Sequence, residues 1–202
     1  MTAEPRVDGR TARRDRNTEA VLDAVRALFL EGNYGPTAEQ VAALSGVSLR
    51  SVYRYFEDTD ALLRAALARA IVRAEPLFAI EDLGHGPLAL RISRITEQRL
   101  LLYRTSGTEA RAALSLAHGA PMVAEQLARR RQQLSQQVRD QFAPELKAAG
   151  VARGRALAAC ADVLLQFDAL DHLIGHCAMT ERQCRRVLAE GLTRLLADYA
   201  AT

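Results

Sequence analysis

TAEQVAALSGVSLRSVYRYFEDTDAL, running from Thr37 to Leu62, holds two short helical patterns joined at Gly46. Thr37 offers an N-cap with Gln40 three residues on, a capping-box pattern, and Val41 and Leu44 supply the buried side of the first helix. Pro36 closes the loop before it. Ser45-Gly46-Val47-Ser48 reads as a turn, because Gly46 can take a left-handed backbone without steric cost, Val47 can plug the core and Ser48 can cap the next helix. That second helix spans about Ser48 to Tyr55. It is too short to be stable alone, since isolated helices under about 12 residues are marginal in water. Val52 and Phe56, at i and i+4, dock it on its neighbours. Leu49, Arg50, Ser51, Tyr53 and Arg54 are left pointing mostly outward. This is the layout of a helix-turn-helix, in which one helix braces a second that enters the major groove of DNA.

Working outward, Val21, Val25, Leu28 and Phe29 recur at i, i+4, i+7 and i+8 and predict a preceding helix that stops at Gly32. On the other side a long helix from Thr59 carries Leu62, Leu63, Leu67 and Ile71 and stops near Pro76. Residues 81–87, with two glycines and a proline, read as a loop. Helices are then expected at about 88–105, 109–117, 122–142, 153–178 and 180–199, with Thr180 capping the last. The expectation is an all-α chain: a basic arm at 1–15, a three-helix helix-turn-helix domain at 16–60, and a larger helical domain at 61–202. No fixed-period repeat is evident.

At 202 residues the chain is long enough to bury a substantial core, and 49% hydrophobic residues with little strand-like alternation suit helices. No apolar segment follows a basic N-terminal start and no apolar run could span a bilayer, so a cytoplasmic protein is expected. Cys160, Cys177 and Cys184 are odd in number and lack CxxC spacing, which argues against a disulfide framework or a zinc ribbon. The net charge is +3, but from Met1 to Glu75 there are 11 Arg and 11 acidic residues, so the helix-turn-helix region has no net charge. Its basic groups are concentrated instead: Arg6, Arg10, Arg13, Arg14 and Arg16 lead the chain, and Arg50 and Arg54 sit on the second motif helix.

The order V-A-x-x-x-G-V-S-x-x-x-x-Y-x-Y-F from Val41 to Phe56, with D-x-x-L after it, closely resembles the signature of tetracycline-repressor (TetR) family transcriptional regulators. Ala20 to Tyr34 resembles that family's first helix, and the likeness covers roughly residues 16–70. It implies a sequence-specific DNA-binding regulator, a repressor that responds to a small-molecule effector and binds a palindromic operator as a homodimer. The remainder resembles the family only in layout, a variable ligand-binding domain whose last two helices pack with their counterparts into a four-helix bundle. Arg182 to Ala197 reads as such a final helix. The chain departs from the pattern at Thr59, where many members carry a lysine that meets a phosphate. A hydroxyl there can contact phosphate or cap the helix, but it brings no charge.

The DNA-binding set is therefore Thr37, Ser48, Leu49, Arg50, Ser51, Tyr53, Arg54, Tyr55 and Thr59. Arg50 and Arg54 lie at i, i+4, and arginine is the commonest side chain to read guanine bidentately. Tyr53 and Tyr55 resemble phosphate-contacting positions of the family, while core packing is the alternative for Tyr55. Leu49 could touch a thymine methyl or merely tolerate solvent.

In the second half Tyr103, His118, Phe142 and Phe167 are ligand-lining candidates, with core packing the alternative for the aromatics. Leu164, Leu188, Leu192 and Leu195 are candidates for the dimer interface. Asp168, His172 and His176 recur at i, i+4, i+8 in a pattern that can ligate a metal, but one helix supplies too few ligands, so a polar helix face and no metal is the expectation. No hydrolase elbow, phosphate loop, zinc-protease or dinucleotide motif occurs, and neither enzyme activity nor a cofactor is expected. The alternatives are a small all-α enzyme, which would need turnover on a substrate, or a helical interaction protein that binds nucleic acid without sequence preference.

Overall fold

The computed structural model describes residues 9–200, with side chains from residue 11 onward. Ten α-helices are present among the described residues: α1 (Gly9–Leu30), α2 (Ala38–Ser45), α3 (Leu49–Tyr55), α4 (Thr59–Ala74), α5 (Leu88–Leu116), α6 (Pro121–Gln141), α7 (Ala143–Ala148), α8 (Val151–Leu165), α9 (Phe167–Asp171) and α10 (Glu181–Leu196). Two 3-10 turns, Glu75–Phe78 and Ala197–Tyr199, follow α4 and α10, and a π turn, His172–His176, follows α9. The described residues contain no strand. They fall into two compact units, residues 9–73 with 108–123, and residues 74–107 with 124–200.

The first unit is built on α1 to α4. Val21, Val25 and Phe29 on α1, Val41 on α2, Val47 in the turn, Val52 on α3 and Leu62 on α4 are all buried as the periodicity predicts, whereas Leu44, expected beside Val41 on the buried side of α2, is 50% exposed and Ala38 takes the inward place instead. Arg69 on α4 ties that helix to α1 by ion pairs with Glu19 and Asp23. The end of α5 joins this unit through Glu109, whose buried carboxylate accepts from Arg26 of α1 at 2.9 Å and from Arg73 of α4 at 3.0 Å.

The second unit carries its own core: Ile92 and Ile95 on α5, Val138 on α6, Phe142 beside it, Leu157, Ala161 and Leu165 on α8, and Leu192 and Leu196 on α10. A second cluster gathers Leu100, Leu170, Cys184 and Leu188. Helices α7 and α8 approach so closely that a Cβ on Gly154 would lie 2.4 Å from the carbonyl oxygen of Leu146, so only glycine fits there. Beneath the loop before α5, Arg91 and Glu145 form a buried two-pronged ion pair. Arg91 also donates to the carbonyls of Gly86 at 2.9 Å and Gln141 at 2.6 Å, and Gln141 returns a bond to the Arg91 carbonyl at 2.6 Å.

Three expectations from the sequence are corrected. Gly107 does not end a helix: α5 runs through it, and the glycine instead marks where the helix passes from one unit to the other. A single interior glycine costs about 1 kcal/mol of helix propensity, which long flanking stretches of good helix formers outweigh. The helix expected over 153–178 breaks at Gln166, whose backbone is extended (φ −75°, ψ 157°), and closes with the π turn, in which the Cys177 amide donates to the His172 carbonyl five residues back at 2.9 Å. Helix α1 begins at Gly9, so Arg13 and Arg14 of the expected arm, with Arg16 beside them, stand on a helix. Arg10 lies on the same helix, but its side chain is outside the described set, and Arg6 lies outside the described residues.

Candidate nucleic-acid interface

The helix-turn-helix is assembled from local backbone rules before any tertiary contact is needed. Thr37 caps α2 with a complete capping box: its hydroxyl oxygen accepts from the Gln40 amide at 3.3 Å, and the Gln40 side chain accepts from the Thr37 amide at 2.9 Å. Gly46 ends α2 in the left-handed region (φ 69°), where a side chain would be strained. Ser48 then caps α3, its Oγ accepting from the Ser51 amide at 3.3 Å and donating to Ser51 Oγ at 3.0 Å. The 7-residue α3 is pinned by Val52, which is only 1% exposed. Its other face is thereby fixed toward solvent.

On that face Arg50, Tyr53 and Arg54 are exposed, while Leu49 and Ser51 are half-buried. The two arginines differ in a way their spacing does not reveal. Arg54 is folded onto Tyr55, its guanidinium 5.1 Å from the ring centroid and donating to the phenol oxygen at 3.0 Å. Arg50 makes no hydrogen bond or ion pair among the described residues, so its five donors face solvent.

Tyr55 is partly packed, in line with the packing alternative. Its ring is half-buried, and its hydroxyl accepts from Asn17 of α1 at 3.2 Å as well as from Arg54. Those two donors, Asn17 first, hold the phenol below its usual titration range. Asn17 was not signalled by the sequence, since an asparagine within a helix pattern carries no motif.

At the start of α4 the cap is Asp58, whose carboxylate accepts from the Ala61 amide at 2.6 Å, and Thr59 is the first helical residue beside it. The capping alternative for the Thr59 hydroxyl is thus taken by its neighbour. An aspartate before a helix is a recognised start signal, so this cap was legible. A similar acid stands in the first turn of α2, where Glu39 is held below the usual carboxylate range by backbone amide and Thr37 hydrogen bonds.

Of the ligand-lining candidates, Tyr103 and Phe167 are brought together. They are half-buried and stack at 5.5 Å, with the Tyr103 hydroxyl donating to Asp171 at 3.0 Å. Phe142 is fully buried in the packed core, and His118 is exposed in a turn of the first unit. Of the dimer candidates, Leu188 and Leu192 are wholly buried inside their own chain because the i, i+4 row of α10 that begins at Cys184 faces inward. Leu164 and Leu195 stay partly exposed. Asp168 pairs with Arg131 at 3.4 Å, and His172 and His176 sit with rings 5.8 Å apart. No group of three metal-ligating side chains occurs among the described residues.

No helix among the described residues is long and apolar enough to cross a membrane. Residues 21–66 match the family model described as bacterial regulatory proteins, tetR family. No curated protein matches the chain. The fold is similar to a Mesorhizobium loti protein described as a TetR-family transcriptional regulator, with a TM-score of 0.61 at 14% identity over 94% of this chain and 99% of that one. It is similar also to a Clostridium perfringens protein described as a fatty acid metabolism regulator, with a TM-score of 0.61 at 15% identity over 91% and 100% of the two chains. Residues 21–66 thus carry the helix-turn-helix region of the tetR-family model, inside an all-helical fold similar to those of the two regulators.

Proposed function

We propose that the chain is a cytoplasmic, homodimeric, effector-responsive repressor that reads a palindromic operator with α3 of each protomer. The observation that carries this reading is the solvent-facing pair Arg50 and Tyr53 on a short helix whose opposite side is locked by Val52. Two-fold symmetry requires half-sites at least one helical turn, about 34–36 Å, apart. Thr37, Ser48 and Thr59, at or beside three helix starts, suit phosphate contacts, with Leu49, Ser51, Arg54 and Tyr55 completing the surface. A footprint on the DNA flanking the protein's own gene tests it: a protected symmetric site is expected, and uniform protection would leave only non-specific binding.

A homodimer is supported by the outer faces of α8 and α10. Ala156, Cys160 and Val163 leave α8 apolar and exposed, and Val187 does the same on α10, beside Gly191 and Leu195. Val163 is 68% exposed and continues the apolar face of Ala156 and Cys160 at i, i+4, i+7, a contiguous patch of the kind that marks an interface. Val163→Glu is expected to yield monomers by sedimentation velocity at concentrations where the wild type is dimeric. A dimer that persists unchanged moves the interface elsewhere.

The start of α4 gives a separate test of docking. Thr59→Lys adds a cation beside the expected phosphate position, partly opposing Asp58. Operator affinity is expected to rise several-fold at low salt, and the slope of log affinity against log salt to steepen by about 1. An unchanged slope would place this helix start away from the DNA backbone. Release requires that an effector bind a dimer with misplaced recognition helices better than it binds the DNA-competent one.

A further inference from the structure

The second unit holds a buried guanidinium with an incomplete set of partners. Arg99 on α5 is 3% exposed. Its Nη1 donates to Gln98 Oε1 and to Gln137 Oε1, the latter at 2.9 Å, and its Nη2 donates to the Leu134 carbonyl at 3.0 Å. The two glutamines are themselves fixed, their amide nitrogens donating to the carbonyls of Leu77 at 2.9 Å and of Phe78. Those bonds use three of the five guanidinium hydrogens, and Nε is left buried with no acceptor. One helical turn earlier, Thr96 is 1% exposed and its hydroxyl has no partner either.

No carboxylate among the described residues forms an ion pair with Arg99. Asp162 is near enough to act on it electrostatically, but its oxygens are taken by Ser135 Oγ at 2.6 Å and Gln166 Nε2 at 2.7 Å. Burial draws the guanidinium down to about 10, which leaves it charged at neutral pH. A buried cation held by neutral groups alone is costly, and two orphaned donors on one helix face are rare in a folded core. The same face continues through Tyr103, at i+7 from Thr96, to the stack with Phe167.

We propose that Arg99 and Thr96 anchor the carboxylate of the effector, a monocarboxylic acid with an apolar body that lies toward Tyr103 and Phe167. The anion accepts from Arg99 Nε and the remaining Nη2 hydrogen in a side-on fork, and from the Thr96 hydroxyl. This assignment rests on the regulator reading for the ligand's role as effector, but not for the binding itself.

Calorimetric titration of the full-length protein with benzoate, phenylacetate, hexanoate and decanoate, each beside its primary amide, tests it. At least one carboxylate is expected to bind saturably at one per chain, with its amide at least a hundredfold weaker. Arg99→Gln is expected to weaken the carboxylate about a hundredfold and Thr96→Val about tenfold, the latter preserving the side-chain volume should the arginine variant fold poorly. The proposal is overturned if no carboxylate in the series binds, if acid and amide bind alike, or if Thr96→Val binds as the wild type does. Gel shifts on a random duplex pool, run on the same preparations without acid, read the regulator function separately. A wild type that selects no DNA sequence while still binding the acid refutes the regulator reading and spares the anion site.

Discussion

Arg50→Ala combined with Tyr53→Ala is expected to weaken operator binding by at least about a hundredfold, while circular dichroism and sedimentation remain those of the wild type. Both side chains are exposed, and Arg50 makes no hydrogen bond or ion pair among the described residues, so truncation removes no intramolecular interaction that holds α3 in place. The helix keeps its Ser48 cap and its buried Val52. A base or phosphate contact of this kind is worth about 1–3 kcal/mol, and two together give roughly 2–6 kcal/mol, where each 1.4 kcal/mol is tenfold. Arg54→Ala alone is expected to cost less, because that guanidinium is already engaged with Tyr55. Equal affinity of the double variant and the wild type, measured by fluorescence anisotropy at one fixed salt concentration, would remove α3 from the interface.

The second large effect concerns the stability of the helical second unit. Glu145→Ala strips the partner from Arg91, whose side chain is 5% exposed, and leaves a cation closed off from water. Removing one member of a buried pair costs about 3–5 kcal/mol, chiefly through the charge left behind. For a chain of this size that is a fall in Tm of roughly 10 °C in a calorimetric scan. Arg91→Met is expected to be similarly damaging, since Glu145 is 1% exposed and the carbonyls of Gly86 and Gln141 lose their donor as well. Arg91→Met with Glu145→Leu removes both charges and is expected to recover much of the loss. A shift below about 1 kcal/mol in either single variant would mean that water reaches the pair in solution.

The fate of these elements shows which parts of the structure the sequence encodes locally. The α2–turn–α3 segment was legible because each piece has a short-range cause: a capping box at Thr37, a left-handed glycine at Gly46, a cap at Ser48 and one buried valine at Val52. Thr180 was legible for the same reason, with its own capping box on Gln183. The second unit was less readable because its decisive features are long-range. Nothing in the periodicity distinguishes the row of α10 that faces its own core from the one beside it, so Leu188 and Leu192 read as interface residues although both are fully buried. The extended backbone at Gln166 has no glycine or proline to announce it. Arg91, Arg99 and Glu145 read as solvated charges until α6 and α7 are packed against α5, because burial of a charge depends on partners some 35–54 residues away.

The site divides in the same way. Arg50 and Tyr53 were visible as outward positions, whereas the engagement of Arg54 by Tyr55 and of Tyr55 by Asn17 required the neighbouring helix. Neutral net charge in this region adds a constraint: affinity must rest on a few placed groups rather than on a general basic field.

Selection of duplexes from a random pool by the purified wild type, with sequencing of the bound fraction, tests the central claim most directly. The expected result is enrichment of a two-fold symmetric motif with half-site centres at least one helical turn apart, and no enrichment by Arg50→Ala/Tyr53→Ala run in parallel. Retention of DNA with no sequence preference by the wild type, or the same motif enriched by the double variant, would contradict it.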